Sequence, residues 1–160
     1  MHERTHHVSG ATILIVEPDA FVGGYIRIVL DAARTAVIGP IGSIAEASAL
    51  VDAGAAVDGV VLSCELSTAD HHRWAEALRR NGIPHVFTRV RSPATSLISS
   101  SGAPVLNWPF AAYQVVGALA ELIGGTSKPD RSAAVPIGLD PAVQAAQIGR
   151  HIPVTRDVGT

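Results

Sequence analysis

The chain has one cysteine, so it cannot carry a disulfide framework, and a reducing, cytoplasmic setting is expected. Aromatic residues make up 4% of it and charged residues 16%, with a net charge of −2. No basic footprint for nucleic acid is present. No apolar run is long enough to span a membrane, and "MHERTHHVSG" has no apolar stretch of the kind a secretory signal needs. Residues 1–10 are expected to be a flexible lead. A dinucleotide-binding glycine motif is missing too: Gly23 and Gly24 fall inside a helical pattern, not in a strand-to-helix loop. The seven histidines show no convergent spacing, so no metal site is expected and all are read as solvated. No Ser-His-Asp arrangement is evident, and no enzymatic activity is expected.

What is abundant is apolar patterning, 48% of 160 residues, enough for one domain with an extension. "ATILIV" (Ala11 to Val16) reads as a buried strand ending in "EPD". "AFVGGYIRIVLDAAR" places Val22, Ile26, Val29, Leu30 and Ala33 on one helical face. "AVIGPIG" reads as a short strand with a Gly-Pro exit. Ser43 and Glu46 form a capping-box signal for a helix burying Ile44, Ala47, Leu50 and Val51. "DGVVLSCELS" is a third strand. A third helix, "TADHHRWAEALRRNG", turns Trp74, Ala77 and Leu78 inward, and Gly82 stops it. "IPHVFT" is a fourth strand, "SPATSLISSSG" a poor fourth helix and "APVLNW" a fifth strand. "PFAAYQVVGALAELIGG" is a good fifth helix, with Ala112, Val116, Leu119 and Ile123 inward.

Strand and helix alternate five times. The expected fold is therefore α/β: a doubly wound (βα)5 parallel five-stranded sheet spanning residues 11–125, flavodoxin-like, with a C-terminal extension. Residues 126–160 read as linker and tail, with a short helix over 140–148 capped by Asp140 and Pro141.

The carboxyl ends of such strands are where this architecture places its chemistry. At those ends lie Glu17, Pro18 and Asp19; Ser63, Cys64 and Glu65; Thr88 and Arg89; and Trp108 followed by Pro109. Strand alternation points Cys64 away from Ser63, toward core packing. Glu65 reads as a solvated loop residue.

Five landmarks in order, "ILIVEPD", "SIAEASALV", "DGVVLSCEL", "RRNGIPHVF" and "VLNWPF", resemble the CheY-like response-regulator receiver domain of two-component signalling. That resemblance covers roughly Ala11 to Gly125. It implies phosphoryl transfer to an aspartate, acidic residues holding Mg²⁺, a hydroxyl that senses the phosphoryl group and a lysine that pairs with it. Here the aspartate position falls at Ser63, the acidic pair at Glu17 and Pro18, and the lysine at Trp108. The switch hydroxyl falls at Arg89, or at Thr88 if the strand is one residue short. A serine hydroxyl is a poor nucleophile without a base, and proline has no side-chain ligand for Mg²⁺.

The chain thus looks like a degenerate pseudo-receiver: a stand-alone phosphorelay-type signalling protein acting through protein–protein contact, with no cofactor and with Mg²⁺ binding lost. The resemblance implies a signalling partner, a histidine kinase or an effector, and a homodimer or effector face over 92–123. Three alternatives are open at this level. Asp19 or Glu65 takes over phosphoryl chemistry; the strand-end pocket senses a small ligand; or Arg89 pairs with Glu17 or Asp19 and freezes the pocket. The cis Trp108–Pro109 bond common in that family is also implied.

Overall fold

The structure, a computed structural model, describes residues 8–66, 68–91 and 102–125. Five strands form one parallel sheet: β1 (Thr12–Val16), β2 (Ala36–Ile41), β3 (Gly59–Ser63), β4 (His85–Arg89) and β5 (Val105–Asn107). Their spatial order is β2-β1-β3-β4-β5. The order reverses beside β1, so the switch point of the sheet, where such folds place their sites, lies at the carboxyl ends of β1 and β3. The described helices are α1 (Ala20–Ala32), α2 (Ile44–Asp52), α3 (Thr68–Arg80) and α4 (Ala112–Gly125). The fourth helix read from 92–101 and the tail helix at 140–148 lie outside the described residues.

Each central strand is apolar on both sides because both sides are covered. Ile13, Ile15, Val61 and Val86 meet α1 and α4 through Ile26, Leu30, Val115 and Leu119. Leu14, Val16, Val60, Leu62 and Phe87 meet α2 and α3 through Ile44, Ala47, Trp74 and Leu78. Neighbouring residues of one strand therefore serve opposite layers.

Four packing expectations change. Val8, inside the stretch read as a flexible lead, is fully buried, and Ala11 N–H donates to its carbonyl, so packing begins before Ala11. In α2, Leu50 is exposed and Ser48 takes its inward place beside Ala47. In α4 Leu119 is buried and Val116 and Ile123 pack against the core as expected, but Val115 and Ala120 are buried as well and Ala112, expected inward, is exposed. That helix begins at Ala112, not at Pro109, which leaves Ala112 in its exposed first turn. Finally, Gly39 and Pro40 lie within β2 rather than after it. Pairing with β1 shifts between Leu14 and Val16, and this irregularity accommodates a proline on an edge strand. Gly39 has φ +101, and an added Cβ would sit 2.6 Å from the Ile15 carbonyl, so no other residue fits there.

Candidate functional site

Glu17 follows β1 directly, and Val16 is in register with Leu62. Ser63 ends β3 and is in register with Thr88 of β4. The sheet therefore lays Glu17, Ser63 and Thr88 side by side across three adjacent strands. Alternation turns all three toward the α1/α4 layer, as it does Ile15, Val61 and Val86 two residues earlier. All three are buried, with exposures of 2%, 0% and 0%.

The Glu17 carboxylate is held from several sides. Its Oε1 accepts the Asp19 amide at 3.0 Å. Its Oε2 accepts the Thr88 hydroxyl at 3.3 Å, a long O–H···O bond. Burial pushes its pKa above the usual carboxylate range; the Asp19 amide and the hydroxyls of Ser63 and Thr88 oppose that rise.

Asp19 serves a different purpose from the one its position suggests. Its Oδ1 accepts the amides of Phe21 at 2.9 Å and Val22 at 3.1 Å, capping α1. Pro18 is exposed and offers no ligand atom on its side chain. The acidic stretch Glu17-Pro18-Asp19 thus divides into a buried carboxylate and a helix cap.

Of the two positions open for the hydroxyl, it is Thr88, not Arg89, whose side chain faces Glu17. Arg89 instead donates from Nε to Asn107 Oδ1 on β5 at 2.8 Å. The ion pair of Arg89 with Glu17 or Asp19, left open by the sequence, does not form: successive strand residues point to opposite faces, and Arg89 turns away from Thr88. On that opposite face Arg89 lies near Cys64, which packs against the α2/α3 layer as its alternation required. Burial pushes the Cys64 thiol up to about 11, partly offset by Arg89. It is therefore a poor thiolate source at neutral pH.

Glu65 is not a solvated loop residue. Its Oε1 accepts the amides of Val90 at 3.0 Å and Arg91 at 2.7 Å, and its own amide donates to Ser63 Oγ at 3.2 Å. The side chain spans from the turn after β3 to the exit of β4, a role with no local sequence signal.

Trp108 stands in an aromatic group with edge-on contacts to Phe21, Tyr25 and Phe110, at centroid distances of 6.1, 5.5 and 5.1 Å. The Tyr25 hydroxyl donates to the Phe110 carbonyl at 3.2 Å. The indole fastens the β5–α4 turn to α1. The Trp108–Pro109 bond is cis, as the resemblance implied.

Two histidines contradict the solvated reading. His71 and His85 are 8% and 6% exposed and flank Phe87 at centroid distances of 5.1 and 5.2 Å. A signal for His71 was available: 71, 74, 75 and 78 form one helical face with Trp74, Ala75 and Leu78. His85 shares the face of Phe87 two residues on.

Mg²⁺ of the kind receivers use does not fit these groups. Such an ion needs several oxygens free to converge, with carboxylates among them. Glu17 is the one carboxylate in the row, and both of its oxygens already accept hydrogen bonds. Among the described residues, no group of three or more His, Cys, Asp or Glu is arranged to hold a metal.

No protein-family model matches the chain, and no curated protein matches it. Solved structures do. A response regulator receiver protein from Sinorhizobium medicae superposes with TM-score 0.62 at 24% identity, covering 72% of this chain and 96% of that one. One from Burkholderia phymatum gives 0.62 at 20%, covering 74% and 99%. The receiver domain of a signal transduction histidine kinase from Syntrophus aciditrophicus gives 0.62 at 16%, covering 76% and 96%. The class is thereby defined at the level of architecture. The described residues have the CheY-like receiver fold: five parallel strands in one sheet, with helices on both faces.

Proposed function

We propose that this chain is a two-component-type signalling module that works without phosphoryl transfer at the end of β3, and that it is not an enzyme. The carrying observation is the row Glu17–Ser63–Thr88. A neutral hydroxyl stands where a receiver's nucleophile is expected, and the carboxylate beside it is engaged with Thr88 and the Asp19 amide. A serine there would need an activating base. Glu17 is buried and raised in pKa, but it accepts from its neighbours instead of standing free. Displaced chemistry at Asp19 or Glu65 is disfavoured, since Asp19 caps α1 and Glu65 receives two backbone amides.

Such a module signals by presenting a surface to a protein partner, a histidine kinase or an effector. On α4, within the proposed 92–123 effector or homodimer face, Tyr113 is 78% exposed. An aromatic ring so placed is a ready interface anchor.

The reading is tested by titrating MgCl₂ into the protein and following backbone amide NMR shifts. No saturable change at Glu17, Ser63 or Thr88 is expected in the millimolar range. Saturable shifts confined to those amides would overturn it.

A further inference from the structure

We propose that Glu65 is a built-in anion latch, occupying from within a backbone anion site at the exit of β4. Val90 and Arg91 are consecutive, and both amides converge on Oε1 of Glu65 at 3.0 and 2.7 Å. Successive N–H groups aimed at one point are how a backbone binds anions. Hydrogen bonds to a charged acceptor are the strong kind. The residue that supplies the anion is itself held in place: its amide donates to Ser63 Oγ, and Ser63 ends the neighbouring strand in register with Thr88. The amide of Cys64 donates to the Thr88 carbonyl at 2.8 Å, which fastens the same two strand exits a second time.

The latch answers a question left by Ser63. A receiver's strand-end phosphoryl group would bring negative charge between the β3 and β4 exits. Here a carboxylate two residues beyond Ser63 brings that charge permanently. The β4 exit is therefore held in an anion-bound arrangement with no group transfer. This rests on the reading of Ser63 as a site without phosphoryl chemistry, and it assigns that reading's regulation: the exit of β4 at Val90 and Arg91 is set by a side chain, not by a modification. Glu65 is a positioning residue, acting through the main chain of Val90 and Arg91.

Amide hydrogen exchange in the full chain tests it, comparing wild type with Glu65→Ala and Glu65→Gln. In Glu65→Ala, exchange at Val90 and Arg91 is expected to speed up about tenfold or more, while Phe87 and Thr88 stay within about twofold. Glu65→Gln, which keeps an acceptor oxygen without charge, is expected to fall between. Inorganic phosphate is expected to slow Val90 and Arg91 again in Glu65→Ala and to leave the wild type unchanged. Unchanged exchange in Glu65→Ala, or an equal rise along all of β4, would overturn the latch. So would the absence of any phosphate protection in that variant. If Glu65→Ala does not fold, Glu65→Gln and Glu65→Asp carry the comparison, with Asp too short to reach and expected to match the alanine pattern. A phosphoryl group found on the wild type would instead sink the proposed function and leave the exchange result standing.

Discussion

Glu17 is a carboxylate carried into the interior and then compensated by uncharged donors. Removing one donor while leaving the charge isolates that compensation. Thr88→Val keeps the shape and deletes the hydroxyl that Oε2 accepts. Denaturant unfolding at neutral pH is expected to show a loss of about 1 kcal/mol, modest because the bond is long. In the Glu17→Gln background the same change is expected to cost less, so the pair is non-additive. Glu17→Ala and Arg89→Ala, by contrast, are expected to add, since Arg89 is bonded to Asn107. Additivity for the first pair would mean that Glu17 and Thr88 do not interact.

His71 gives the molecule an acid-sensitive point. Burial pushes it down to about 4 from 6.5, with His85 and the adjacent His72 adding to the effect, and burial lowers His85 as well. Among the described residues, the groups that act on these rings are other histidines and the Ile83 carbonyl. The unfolded chain therefore binds protons first. Stability is full above about pH 6.5 and falls as pH drops toward 4, by on the order of 3 kcal/mol for His71. Glu17 acts in the opposite sense, since its raised pKa favours the folded state as it becomes protonated. Unfolding midpoints from pH 7 to 4.5 should decline less steeply in His71→Leu than in wild type. Parallel curves would contradict the assignment. The histidine was legible as a core position from helical spacing alone, yet residue type suggested solvent. Residue type describes an average, whereas the face of α3 is a property of this helix.

Helix α1 shows why two adjacent glycines need separate accounts. Both look like helix weakeners in sequence, each about 1 kcal/mol worse than alanine. In the structure an added Cβ at Gly23 would stand 2.7 Å from Cβ of Pro40, whereas at Gly24 nothing lies within 4 Å. Gly23 is thus where α1 approaches β2, directly over Glu17. Gly24→Ala is expected to raise stability by about 0.5–1 kcal/mol, and Gly23→Ala to lower it by about 1–3 kcal/mol despite its better propensity. Thermal unfolding of the two variants checks this, and equal shifts would contradict it. The elements themselves were legible because apolar period and capping residues are local: Ser43 accepts the Glu46 amide at 3.2 Å as its motif implied. What was not legible came from contacts distant in sequence. Pro40 beside Gly23 and Glu65 on Val90 are both set by packing between elements.

At the scale of the whole molecule, alternation of strand and helix specified the sheet, because apolar strands connected by helices close in few ways. The row Glu17–Ser63–Thr88 followed from that topology once register was known. Register also excluded the Arg89 pairing, which sequence alone left open. A receiver-type sheet normally gathers charge at its strand ends. This one gathers a buried carboxylate, two hydroxyls, a glutamate latch and an indole, each already bonded or packed. The central claim is that no phosphoryl group is accepted there. Its most direct test is the intact mass of the protein after incubation with acetyl phosphate and MgCl₂. The account predicts an unchanged mass, and a gain of one phosphoryl group on Ser63, Asp19 or Glu65 would contradict it.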